Sequence, residues 1–278
     1  GVIPVREFVE GKYVVMVTRA GRIKKTELGA FSNVRASGII AIDINEGDDL
    51  YAVRLSNGHD EIFVGTHQGM AIRFPEAHVR PMGRGASGVK AISLRGDDHV
   101  VEMDVLPGSA ADVAPPPADD EEAPVEELIE ETTDAEGEDE TALAADDRGY
   151  ILTITEKGFG KRTPVTAYRL QRRGGLGLSN VKITDKNGAV AGIAHVSDDD
   201  QLLLITEQGM MIRTDVASIR IAGRKTQGVR VINIDENDTV VGAVKLVERE
   251  GDHEPADDET PETPETPESP DTGEESVH

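Results

Sequence analysis

The chain has 278 residues, with 53 acidic and 29 basic side chains, a formal charge of −24, no cysteine, no tryptophan and 3% aromatic residues. Without cysteine, disulfides, thiolate nucleophiles and cysteine-bound zinc are all excluded. No apolar run approaches the roughly 18 residues of a membrane-crossing helix, and no signal-peptide pattern occurs. The negative charge is concentrated in two places. Residues 104–147 hold 17 carboxylates and no Lys or Arg, and residues 248–278 hold 13 carboxylates and one Arg, which leaves 28 bases against 23 acids elsewhere, a balance of +5.

In chain order, Val2-Ile3-Pro4-Val5 reads as a strand, and Gly1 to Phe8 as the end of a preceding unit, so the sequence is expected to be a fragment of a longer one. Four repeats follow, each an apolar strand, a Thr-x-x-Gly turn, a strand with cations, a loop, a second glycine, an alternating strand, a polar turn and a closing strand. The turns are Thr18–Gly21, Thr66–Gly69, Thr155–Gly158 and Thr206–Gly209. Gly21 to Gly69 is 48 residues and Gly158 to Gly209 is 51, whereas Gly69 to Gly158 is 89, one period plus an insertion as long as the first acidic segment. The second glycine, at 38, 88, 177 and 228, follows its turn glycine by 17 residues once and by 19 three times.

A period near 50 with about four short strands predicts an all-β, propeller-like fold whose blades must stack, since one blade cannot bury its own face. The expected division is residues 1–103 for the end of a preceding blade and two repeats, 104–147 for an acidic disordered insertion, 148–247 for two more repeats, and 248–278 for a disordered tail. Both acidic segments carry too few large apolar side chains to offset the ordering entropy of roughly 1–2 kcal/mol per residue.

Positive charge recurs in register. Four residues past the turn glycine stand Lys25, Arg73, Arg162 and Arg213, and eleven past it stand Arg80, Arg169 and Arg220. Near the second glycine stand Arg35, Arg84, Arg173 and Arg224, with Lys24, Lys161 and Lys225 adjoining these sets. Any one of these cations is more economically a solvated strand face. Aligned on stacked blades they would form a basic rim, which bent duplex DNA could follow by phosphate contacts that ignore sequence. The third repeat adds Gln171-Arg172-Arg173-Gly174-Gly175-Leu176-Gly177, in which cations sit on a backbone free enough to approach a polyanion.

Other chemistry is poorly represented. There is no Gly-x-x-x-x-Gly-Lys-Ser/Thr loop for ATP, and the seven histidines lack metal-ligand spacing. Asp48-Asp49 and Asp198-Asp199-Asp200 are explained by turn chemistry, and nothing marks any of the four tyrosines as a nucleophile. No catalytic residue, metal or cofactor is expected.

The 171–177 loop closely resembles the box motif of the C-terminal domain of the DNA gyrase A subunit. Thr155–Thr163, Val79–Gly83 and Gly223–Gly228 fit that family as well, and the resemblance runs from Val2 to about Glu248. It implies a β-pinwheel, a propeller-like disc of four-stranded blades that exchange strands, with double-stranded DNA wrapped around its basic perimeter. It further implies a part in ATP-dependent negative supercoiling by a holoenzyme containing the gyrase B subunit together with two A subunits. ATP and Mg²⁺ would bind elsewhere in that assembly, in the cytoplasm of a prokaryote and at its nucleoid. By carry-over, Gln171, Arg172, Arg173, Gly174, Gly175 and Gly177 would fasten the wrap.

Two departures qualify the likeness. Leu176 stands where the family usually has a basic residue, and the loop lies in the third repeat rather than on the first blade of a disc that commonly has six, so either a further box precedes Gly1, the favoured reading, or the motif has relocated. The resemblance implies that the acidic tail modulates wrapping, since tethered carboxylates beside a basic rim would compete with phosphate at high effective concentration, and the acidic insertion could do likewise; the alternative for both is solubilising disorder or adaptation to a salty cytoplasm. The alternatives are the C-terminal domain of topoisomerase IV, against which the intact glycines count, and a protein-binding propeller scaffold, against which the scarcity of aromatic residues counts.

Overall fold

The computed structural model describes residues 3–108, 147–235 and 237–246. The acidic insertion and the tail fall almost wholly outside the described residues. The strand β7 nevertheless runs to Leu106, three residues into the stretch assigned to the insertion, because residues 104–106 pair with β4.

Fifteen strands fill the described residues: β1 (Tyr13–Thr18), β2 (Arg22–Glu27), β3 (Leu50–Ser56), β4 (Glu61–Thr66), β5 (Met70–Pro75), β6 (Val89–Lys90), β7 (Val100–Leu106), β8 (Tyr150–Thr155), β9 (Phe159–Pro164), β10 (Leu178–Ser179), β11 (Val190–Val196), β12 (Gln201–Thr206), β13 (Met211–Asp215), β14 (Val229–Arg230) and β15 (Val240–Leu246). They form four antiparallel sheets in the orders β3-β1-β2-β6, β10-β5-β4-β7, β11-β8-β9-β14 and β13-β12-β15. In each of the first three, the short outermost strand belongs to the next repeat, as when Val89–Lys90 pairs with Arg22–Ile23. This exchange makes the fold a β-pinwheel. Strands β3, β7, β11 and β15 pack successively against one another along the inner side.

The Thr-x-x-Gly turns close each hairpin as expected. The glycine N–H donates to the threonine carbonyl at 3.0–3.1 Å in all four, with the glycines at φ between +75° and +89°. In three of them the threonine hydroxyl also accepts the amide just past the glycine: Arg22, Met70 and Met210.

The second glycine is where the exchanged strand crosses to its neighbour. A Cβ on Gly88, Gly177 or Gly228 would lie 2.4–2.6 Å from a backbone oxygen of Ile23, Ala71 or Gly160, and each glycine has φ near +80°. Backbone approach this close admits no side chain.

Three expectations fail. Residues 3–12 form no strand, and the fourth sheet has three strands. The segment after Gly38 forms no ladder either, and a Cβ on Gly38 would meet nothing within 4 Å. Exchange needs both a strand and a neighbouring hairpin edge: the segment after Gly38 has no preceding edge to cross to, and β13 has no strand of a following repeat to receive, among the described residues.

The core is three apolar clusters, one per seam between blades. Val15, Val17 and Ile23 meet Ile62, Val64 and Phe74 in the first; Phe63, Ala71 and Leu106 meet Ile151, Tyr168 and Ile193 in the second; Leu152 and Ile154 meet Leu202, Leu204 and Ile219 in the third. Alternating strand residues thus face neighbouring blades, not one central core, as stacking of incomplete units requires. Among the described residues no helix is long and apolar enough to cross a membrane.

Candidate nucleic-acid interface

The recurring cations divide by position into an inner and an outer set. Lys25, Arg73 and Arg162, four past the turn glycine, are only 4–5% exposed. Each reaches the 3-10 turn of the next blade. Lys25 Nζ lies 3.3 Å from Glu76 Oε1 and donates to the Glu76 carbonyl at 3.2 Å. Arg73 pairs with Glu61 in its own blade and donates through Nη1 to the carbonyls of Val165 at 2.9 Å and Tyr168 at 2.7 Å. Arg162 pairs with Asp198 and donates to the carbonyls of Ile219 at 2.6 Å and Ala217 at 3.0 Å.

These three side chains are therefore seam fasteners, and the expectation that they line an exposed rim is corrected. Stacking brings backbone acceptors at a 3-10 turn against the strand, and a long cation satisfies them while its stem fills the seam. Arg213, at the same repeat position in the fourth blade, remains exposed and bonds Gln201 within its own sheet.

The adjoining lysines are buried more deeply still. Lys24 donates to the carbonyls of Ala41 and Arg84, and Lys161 to those of Gly223 and Arg224, with no exposed surface on either residue. Burial, reinforced by the Arg224 guanidinium, pulls the Lys161 ammonium down to about 7, and burial lowers Lys24 too. Ile72 and Ile212 take this position in the second and fourth repeats. Arg224 is also buried. Lys24, Lys161 and Arg224 are thus removed from the predicted surface set, their charges turned inward among the loops of the seam.

The outer set is different. Arg80, Arg169 and Arg220 are all exposed, and each follows a buried residue: Val79, Tyr168 or Ile219. The backbones at Arg80 and Arg220 are locked by the seam, since Arg162 N donates to the Arg220 carbonyl and parallel bridges join Lys25 to Pro81 and Arg162 to Ile221. Period-2 alternation then sends each arginine outward from its anchor. Arg35 and Lys225 are exposed as well, and Arg84 is half-buried with Nη1 on the Ile40 carbonyl.

The 171–177 loop lies across the seam of the second and third blades. Gln171 N donates to the Arg73 carbonyl, Gly174 N to that of Ala91 and Ser93 N to that of Gly175. Arg173 is half-buried, its Nε on the His78 carbonyl at 2.8 Å and its Nη1 on that of Lys90. Arg172 is half-buried, Gly174 has φ +82°, and the Gln171 side-chain amide is buried, with no hydrogen-bond partner for either of its polar atoms among the described residues. The loop therefore presents Arg172 from a scaffold that Arg173 and the glycines pin.

The profile of the DNA gyrase C-terminal domain, beta-propeller family matches residues 12–57, 60–107, 149–197 and 200–246, one match per blade. The chain belongs to this family. It is 37% identical over 258 residues to the DNA gyrase A subunit of Salmonella typhimurium, covering 93% of this chain and 24% of that protein. It is 38% identical to the DNA gyrase A subunit of Kosmotoga olearia, covering 88% and 26%. The chain thus spans about a quarter of the length of these relatives. Among solved structures, the C-terminal domain of DNA topoisomerase IV superposes with a TM-score of 0.69 at 25% identity, over 88% of this chain and 64% of that one. The DNA gyrase A C-terminal domain superposes at 0.67 and 22% identity, over 87% and 68%. The two folds match about equally, while these sequence relatives are gyrase A subunits.

Within this member of the gyrase C-terminal domain family, Lys157, Lys182 and Lys186 stand outside the repeat register that picks out the other cations, and Arg230, two past its second glycine, is matched by Lys90 in the second repeat. All four are exposed on the third blade or its exchanged strand. Recurrence across repeats discards such residues, whereas charge confined to one repeat marks the three lysines in the sequence.

Proposed function

We propose that this chain binds duplex DNA without reading its sequence and bends it along the outer edge of the blades. The observation that carries this reading is the outward row of Arg80, Arg169 and Arg220, presented at one repeat position on three blades. Arg35, Arg84, Arg172, Arg213 and Lys225 extend the same edge. Cations distributed on a rigid curved support neutralise successive phosphates and release counterions, offsetting a bending cost on the order of 1–6 kcal/mol for 20–30 base pairs. Gln171, Arg173, Gly174, Gly175 and Gly177 serve by holding Arg172 at the seam.

The family supports a place for this disc within a gyrase holoenzyme of A and B subunits, with ATP and Mg²⁺ bound outside this chain. There it would set the handedness of the DNA segment passed, in the cytoplasm and at the nucleoid of a bacterium. A salt titration on long duplex DNA tests the binding: replacing Arg80, Arg169 and Arg220 together with Gln should lower the slope of log Kobs against log[salt] by roughly 0.9 per lost phosphate, about 3 in all. An unchanged slope with an intact fold overturns the reading. Ligase closure of relaxed circles on the chain tests the wrap, and an unshifted topoisomer distribution removes it.

A further inference from the structure

The third blade carries an excess of lysine that its architecture does not need. Lys157 precedes the turn glycine, and Lys182 and Lys186 lie five and nine residues past the second glycine. At the same three positions the first repeat has Ala20, Asp43 and Gly47, the second Gln68, Ser93 and Asp97, and the fourth Gln208, Asn233 and Asn237. Three repeats build the same blade without a cation at any of them.

The fold brings these lysines together with two cations of the fourth repeat. Lys182 N donates to the Thr226 carbonyl at 3.2 Å, which sets it beside Lys225. Asn187 Nδ2 bridges the carbonyls of Lys182 and Gln227, tying the 182–187 turn to the same loop. Lys157 N donates to the Asn187 carbonyl at 3.1 Å, and its Nζ to that of Asp185. Lys186 Nζ and the Arg230 guanidinium both lie over the Phe159 ring, 5.4 Å and 5.0 Å from its centroid. All five cations are exposed, and none pairs with a carboxylate of the described residues. Asp185 is the carboxylate within the turn, while Glu156, next to Lys157, is engaged by His67 and the Ala189 amide.

The backbone contact at this place repeats that of the 171–177 loop. Ser93 N meets the Gly175 carbonyl at the seam of the second and third blades, and its counterpart Lys182 N meets that of Thr226 at the seam of the third and fourth. We infer that Lys157, Lys182, Lys186, Lys225 and Arg230 form a second phosphate anchor for duplex DNA, one seam along from the 171–177 loop. This rests on the DNA-binding reading above and adds where the duplex is held as it leaves that loop. Lysines suit the role as mobile point charges that follow a backbone without demanding bidentate geometry.

The test exchanges the lysines for residues the fourth repeat already uses there, Lys157→Gln, Lys182→Asn and Lys186→Asn, in the 278-residue chain. With melting temperature unchanged, the salt slope on long duplex DNA should fall by about 2–3, and Lys157→Arg, Lys182→Arg and Lys186→Arg together should keep the wild-type slope. A wild-type slope in the Gln/Asn variant, with wild-type protein still salt-sensitive, overturns the anchor and leaves the DNA-binding reading standing. A wild-type protein with no salt-dependent binding overturns both. If the Gln/Asn variant melts early, the comparison passes to Lys186→Asn alone, whose ammonium lies over the face of Phe159, and a slope unchanged there also overturns the anchor.

Discussion

Nε of Arg73 lies 2.6 Å from Oε2 of Glu61, both side chains at most 5% exposed, while the same guanidinium holds two carbonyls of the next blade. The pair thus joins charge neutralisation inside one sheet to fastening of the adjacent one. Arg148 Nη2 also reaches Glu61 Oε2 at 2.7 Å, so without Arg73 the carboxylate keeps a cation while two buried carbonyls of the next blade lose their donor, whereas the equivalent Arg213 is exposed. Arg73→Ala should cost about 1.5–3 kcal/mol in urea unfolding, and Arg213→Ala less than about 0.5 kcal/mol. Equal costs would show that the register position, not the seam, sets the energetics.

The crossing glycines give a second contrast. Gly177 and Gly38 have nearly the same positive φ, +77° and +76°, but a Cβ on Gly177 would sit 2.4 Å from the Ala71 oxygen, and one on Gly38 would meet nothing within 4 Å. Gly38→Ala should cost about 1–2 kcal/mol, the local penalty of the left-handed conformation. Gly177→Ala should cost several times that and detach the exchanged strand β10. Hydrogen exchange at Leu178 and Ser179 reads the detachment, and unchanged protection there refutes it.

Stability should pass through a trough near neutral pH. Lys161 titrates at about 7 in the folded chain against 10.5 in the open chain, so the unfolded state binds more protons between those values and stability rises with pH across that window. Glu102 is pushed up to about 7 from 4.5 by burial, despite Arg54 at 2.7 Å. Its folded form binds the extra proton between 4.5 and 7, so its contribution is full below 4.5 and lost as pH climbs through 7. Lys161→Ile, copying Ile72 and Ile212, should flatten the alkaline limb, and Glu102→Gln the acid limb, in urea midpoints measured from about pH 4.5 to 10. Limbs that survive these substitutions belong to other groups.

Arg172 and Arg173 should separate by assay. Arg173 bonds the carbonyls of His78 and Lys90, so its loss should cost about 1.5–3 kcal/mol of stability. Arg172→Ala should cost less than about 1 kcal/mol yet shift the topoisomers in ligase closure as much as Arg172→Ala combined with Arg173→Ala does. Wild-type topology for Arg172→Ala would take this side chain off the DNA path.

Deleting residues 248–278 removes 13 carboxylates and one arginine from the chain. If the tail competes with phosphate, DNA affinity should rise at low salt and converge with wild type at high salt, as screening shortens the reach of the tether. An equal gain at every salt concentration would point away from charge.

The sequence by itself determined the repeat, its turns and its crossing points. Thr-x-x-Gly and the second glycine encode local backbone demands: a hydroxyl acceptor and a left-handed φ at one, and a left-handed φ with no room for Cβ at the other. Those demands are visible residue by residue, and so were the four blades and the family. What the repeat could not tell was which cation faces water. Lys25, Arg80, Lys161 and Lys186 are all positive charges on or beside strands, alike in composition and spacing. Only the seam, built by residues some fifty positions away, decides that the first and third meet backbone carbonyls in a dry interface while the second and fourth turn outward. Burial of a charge is a property of the neighbour it meets, and stacking chooses that neighbour.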